Sequence, residues 1–276
     1  MSENLNGKAD LQNLIPQVWS TRFYESLKNN LIFASVFSTE YEGEIQARGD
    51  TVKVNQITVP AAETLTDDKT KFKSSPITVN QFTLEINRQT VHAVEITNLA
   101  LLQSEAFMEE LRKEMTYQLY LKMEQELIEV YDAAVSQSFT TTASSDFAAV
   151  DIAKARAAFG RAKIPFGDRY MVLSPEYYSD LLTKNQIIST DFVNTKPILD
   201  QTVPNVLGYN ILESNVLALD TGRVFHKSVL QLAMQRSLNL AVLDQKVNNK
   251  LSYSVVADFV WDCKVFDAGR GWKQTG

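Results

Sequence analysis

A chain of 276 residues with 45% hydrophobic and 22% charged side chains can bury a full core, as one large or two modest domains. Its net charge of -6, with no Lys/Arg-rich stripe anywhere, argues against a tight grip on nucleic acid. One cysteine, Cys263, rules out an intramolecular disulfide framework and fits a reducing compartment. The polar N-terminus has no apolar signal core, and the apolar block at 31–37 is too short to cross a bilayer, so no membrane partner is expected.

In chain order, a polar opening gives way to Ile15, Val18, Trp19, Phe23 and Leu27 at helical spacing, with Pro16 in the first turn. A helix this near the terminus needs a surface to dock on, in its own subunit or a neighbour's. After Gly43 the period changes to two. In residues 50–60 Val52 and Val54 share one face and Ile57 and Val59 the other, a phase change that suggests a bulge or twist. A polar stretch follows, in which Glu63, Asp67 and Asp68 precede Lys69, Lys71 and Lys73. Alternation returns over 77–97, where Phe82, Leu84, Ile86, Val94 and Ile96 share a face with Arg88, Thr90 and His92. As one strand that run would span roughly 65 Å, against a usual strand of about 5–6 residues. A ribbon so long and so mixed in polarity cannot bury itself on its own domain. The pattern predicts a projecting arm supported by other copies of the chain.

Residues 97–137 contain no Gly or Pro and are dominated by strong helix formers. Leu111, Met115, Leu119, Met123, Leu127 and Tyr131 recur every fourth residue, widened by Met108, Leu121, Ile128 and Val130. From a cap at Ser104 to Gln137 the helix would be roughly 50 Å long. The seam lacks a clean heptad, so a spine laid across a sheet is favoured over a free coiled coil. Eight acidic side chains against three basic ones here supply most of the net charge. Beyond a Ser/Thr-rich connector, the sequence predicts a helix over 151–162 capped by Asp151, a short strand over 169–174 and a helix from Pro175. Further strands and a short helix are expected over 208–214 and 224–235, then one or two strands over 251–266. Strands and helices interleave too irregularly for a doubly wound sheet; the class is α+β.

Chemistry is harder to find. His92 and His226 have no ligand-like partner spacing, and Cys263 lies in an apolar run that suits an inert buried thiol. No nucleophile elbow, phosphate loop, dinucleotide fingerprint or zinc spacing occurs. The tripeptide Arg48-Gly49-Asp50 reads as a turn before a strand. No catalytic, cofactor-binding or metal-binding residue is assigned, and an enzyme is not expected.

Taken together, residues 15–54, the helix at 104–137, and the stretches 164–182, 207–217, 225–235 and 249–270 resemble the major capsid proteins of tailed bacteriophages. The most telling stretch is the opening IPQVWSTRFYESLKNNLIFASVFSTEYEGEIQARGDTVKV. The resemblance implies an N-terminal arm (1–38), an extended β-loop and its base (39–97), and a peripheral domain with the spine helix (98–150). An axial domain (151–235) and return strands of the peripheral domain (236–276) would follow. It also implies that copies join as hexamers and pentamers of an icosahedral shell around double-stranded DNA, bound without sequence specificity. Location in the virion, assembly in the host cytoplasm and a portal are implied as well; with about a dozen residues ahead of the arm, a separate scaffolding protein or an unscaffolded route is expected. Subunit-interface candidates are Trp19, Phe23, Glu63, Asp67, Asp68, Lys69, Lys71, Lys73 and Arg88. Some relatives cross-link subunits through Lys and Asn; no partner Asn or activating Glu is identifiable here, and no cross-link is expected. Two alternatives stand beside this one. The first is an encapsulin-like compartment shell; the second is a soluble enzyme or binding module with a site in 150–235.

Overall fold

The computed structural model describes residues 31–40, 51–62, 64, 76–97, 105–141, 147–183, 205–244 and 252–275. The expected arm helix at 15–27 and the charged stretch at 65–73 lie outside them.

The run of helix formers becomes one continuous helix, α2, Glu105–Ala134, after a single short turn of helix, α1, Phe33–Val36. At 1.5 Å per residue its 30 residues span about 45 Å. Met115, Leu119, Met123, Leu127 and Tyr131 are all buried, as the four-residue spacing predicts. They pack on a three-stranded antiparallel sheet ordered β3 (Arg88–Thr97), β9 (Ser252–Val265), β8 (Leu230–Asp244). Val255, Ala257, Phe259 and Trp261 alternate along the central strand β9 and face the helix, which is why that strand reads as apolar every second residue. β9 is one strand rather than two.

A second, five-stranded sheet has the order β4-β10-β7-β5-β6, from Ser138–Thr140, Gly271–Thr275, Thr221–His226, Arg169–Leu173 and Asn210–Glu213. Helices α3 (Ala149–Arg161) and α4 (Pro175–Thr183) cover it, around Phe147, Ile152, Phe159, Tyr177 and Tyr209. α3 starts two residues before the predicted position. Asp151 still caps it, from the third turn position, by accepting the Ala148 N–H at 3.1 Å. The last described strand, β10, runs beside β7 in this sheet and not with β8 and β9, and β8 runs without a break in the chain through position 235/236.

The two sheets are joined through the C-terminal end of α2. The buried Tyr131 hydroxyl lies 3.0 Å from the Trp272 carbonyl and 3.1 Å from that of Val224. Next to it, Arg223 grips Asp132 through both guanidinium ends at 2.6 and 2.7 Å, and Lys273 donates to the Asp132 carbonyl. Tyr131 carries an apolar ring to the core and a polar tip to the strand carbonyls.

The alternating run 77–97 is not one strand. It divides at Ile86 and Asn87 into β2 (Thr78–Glu85) and β3, which belong to different sheets. β2 pairs with β1 (Thr51–Thr58) as an antiparallel two-stranded ribbon, whereas β3 is absorbed into the sheet under the spine. The Asn87 N–H donates to Asp262 at this division, and Ile86 is buried. Periodicity alone cannot see the break, because the inward face keeps its phase across it.

Candidate assembly surfaces

Among the described residues, the β1–β2 ribbon is held at one end. Val52, Leu84 and Ile86 form a small cluster with Ala233 of β8, flanked by Val54, Val260 and Phe266. Phe82 stacks on Phe266 with ring centroids 5.4 Å apart, and the Lys264 ammonium donates to the Thr83 carbonyl at 2.7 Å. The register from Thr51↔Glu85 to Thr58↔Thr78 has no interruption. Of the bulge or twist suggested for β1, the bulge is therefore absent. What looked like a phase change is two apolar pairs on opposite faces of a regular strand, Val52↔Leu84 at the base and Ile57↔Val79 toward the tip.

Those two pairs have different fates. The base pair is buried against its own body, while Ile57 is 63% exposed and Val79 55% exposed. Val59 and Ile77, next along the ribbon, are more than half exposed as well. Because the tip pair sits on the face opposite the base pair, folding the ribbon back onto its own body does not cover it. Two clefts flank the base, one of about 270 Å³ beside Thr83, Asn87 and Lys264, the other of about 230 Å³ beside Val54, Phe82 and Arg270.

Of the interface candidates, Trp19, Phe23, Glu63, Asp67, Asp68, Lys69, Lys71 and Lys73 fall outside the described residues. Arg88 lies at the start of β3. Its guanidinium is 3.2 Å from Glu126 of the spine and 3.1 Å from Asp262 of β9, and 5.7 Å from the Trp261 ring. Within the subunit it pins β3 to the spine helix. Sequence reasoning missed Ile57 and Val79 as surface residues, since alternation marks apolar faces without saying whether anything covers them.

The groups considered for chemistry have structural surroundings. Burial pushes the Cys263 thiol up to about 12, so it carries no thiolate at neutral pH. The His226 Nδ1 accepts the Ser228 N–H at 3.2 Å and caps a turn of 3₁₀ helix, and burial together with Arg270 lowers its pKa. Among the described residues no three carboxylate, imidazole or thiol groups converge as a metal site, and no helix is long and apolar enough to cross a membrane.

A spine helix on one sheet, a second sheet with its own core and a ribbon that the described residues support at its base are the architecture of a capsid subunit. The chain belongs to the phage capsid protein family, whose model matches residues 109–270, and is a structural coat protein. No curated protein matches the sequence. Among solved structures it is similar to a chain from Mycobacterium phage Che8, with a TM-score of 0.75 and 22% identity over 95% of this chain and 97% of that one. A chain from the capsid of Cyanophage P-SCSP1u gives 0.72 and 14%, covering 96% and 94%. A virus-like particle from Pyrococcus furiosus gives 0.60 and 12%, covering 88% and 91%. At such identities the likeness establishes the fold.

Proposed function

We propose that this coat protein is the major capsid protein of a tailed bacteriophage, closing as hexamers and pentamers into an icosahedral shell around double-stranded DNA. Its work is self-assembly, and no enzymatic step is assigned to it. The observation that carries the reading is the exposed pair Ile57 and Val79 on a ribbon whose anchors among the described residues lie at its base, in the Val52, Leu84 and Ile86 cluster, the Phe82–Phe266 stack and Lys264. An apolar pair on an unsupported ribbon is covered by a second copy of the chain. The run from Glu63 to Lys73, which links β1 to β2 in the chain, adds charge contacts to the neighbour. Trp19 and Phe23 of the N-terminal arm and Arg88 contribute further contacts between subunits. A separate scaffolding protein and a portal act with it in the host cytoplasm, and the DNA is enclosed without sequence-specific binding. The stretches 1–38, 39–97, 98–150, 151–235 and 236–276 serve as arm, extended loop, peripheral domain, axial domain and returning strands. An encapsulin-like compartment is the weaker reading, because the family match is to phage capsid protein.

Ile57→Asp combined with Val79→Asp tests it. The doubly substituted subunit keeps its circular dichroism and unfolding midpoint, because neither side chain touches the core, but closed shells vanish from sedimentation and electron micrographs. Shells formed in normal yield by that variant refute the role of the ribbon.

A further inference from the structure

Ahead of the ribbon, residues 32–37 are threaded under the spine helix. Ile32, Phe33, Val36 and Phe37 are buried in the main core, and the Leu232 N–H donates to the Ser38 carbonyl at 2.9 Å. The helix there, α1, is a single turn without a side-chain cap of its own, so its first amides need acceptors from elsewhere. One residue meets the need from the middle of α2. Glu124 Oε1 accepts the N–H groups of Ile32 and Phe33 at 2.5 and 2.6 Å, and Oε2 accepts that of Ala34 at 3.2 Å.

Glu124 has no solvent exposure. No ion pair reaches it among the described residues, and the only partners it has there are those three amides. A carboxylate in an apolar core carries a large desolvation penalty, and a Leu or Met at 124 would extend the stripe without that penalty. Burial accordingly raises its pKa, with the amides of Phe33, Ile32 and Ala34 acting in the opposite direction. The carboxylate makes physical sense only as the acceptor for this segment.

We infer that Glu124 is a positioning residue for shell assembly: it locks Ile32–Ala34 onto the spine helix and so fixes the point on the body to which the preceding N-terminal stretch is attached. The inference rests on the coat-protein reading above, in which that N-terminal stretch contacts neighbouring copies. The lock itself lies within one subunit, so it can be measured apart from assembly.

The experiment is amide hydrogen exchange on the unassembled full-length subunit, with β9 amides as the global reference, followed by shell yield at equal folded fraction. In Glu124→Ala the amides of Ile32, Phe33 and Ala34 exchange about ten- to a hundredfold faster, beyond any change in β9. In Glu124→Gln one acceptor oxygen survives, so Ile32 and Phe33 stay protected while Ala34 is released. Shell yield falls in both, with Gln between Ala and wild type. If Glu124→Ala does not fold, the split between Phe33 and Ala34 in Glu124→Gln carries the test. Exchange at 32–34 that rises only in step with β9 overturns the lock. Local opening with normal shell yield overturns the positioning role. A wild-type chain that forms no shell under any condition, with the lock intact, overturns the coat reading on which the role depends.

Discussion

Gly271 opens β10 in extended backbone, φ -134°, where any residue is tolerated, so the demand for glycine there is one of space. A Cβ at 271 would lie 2.7 Å from the Tyr131 hydroxyl oxygen and 3.0 Å from both Tyr131 Cε2 and Val135 Cγ2. Gly271→Ala therefore drives a methyl into the joint between the spine helix and the five-stranded sheet. Overpacking of this kind costs about 1–3 kcal/mol, offset by roughly 0.4–1 kcal/mol from the stiffer unfolded chain. Tyr131→Phe alone removes the hydroxyl that bonds the Trp272 and Val224 carbonyls, at about 1 kcal/mol. It also removes the atom nearest the intruding methyl. The two substitutions should then be non-additive, the double variant being more stable than the sum predicts by about 1 kcal/mol. The assay is urea unfolding of the unassembled subunit, comparing midpoints at constant slope. Additivity within about 0.3–0.5 kcal/mol would mean the methyl never meets the ring, and this account of the joint would be wrong.

Other expectations concern single groups. Burial, then Arg270, lowers the His226 pKa from its ordinary 6.5, so the fold prefers the neutral ring. Stability from this residue is complete above 6.5 and is lost as pH falls through the lower folded value; His226→Gln should flatten the slope below 6.5, measured by thermal unfolding. Arg223→Lys loses the two-pronged grip on Asp132 and should cost about 1–3 kcal/mol in the same urea assay. An equally stable variant would show that one contact suffices. Cys263, with its thiol raised by burial, should resist iodoacetamide in the native subunit and react promptly once urea unfolds it. Prompt labelling of the folded chain would contradict its placement in the core.

The spine helix was legible residue by residue, because Met115, Leu119, Met123, Leu127 and Tyr131 repeat at helical spacing and all five are buried. The ribbon was legible only as alternation. That pattern marks Ile57 and Val79 as apolar, yet cannot say that Val52 and Leu84 are covered and these are not. Nor does alternation announce the division at Ile86 and Asn87, where the sheet partner changes while the inward phase persists. Glu124 was invisible for the opposite reason. It stands among eight acids on one helix, and nothing local separates the one that binds amides some ninety residues away from those that face water.

Local forces thus account for part of the elements of this chain: propensity marks the helix α2, and period marks the faces of β1, β2 and β9, though not where β2 ends and β3 begins. The resemblance to phage capsid proteins likewise lies in the sequence itself, in the order of its stretches. Tertiary structure alone decided which apolar faces meet, that β10 joins the sheet of β7, and that a buried carboxylate binds the root of the N-terminal segment. Those outcomes depend on contacts between residues far apart in the chain. Their energies are set by what is desolvated on folding, and no window along the sequence records that.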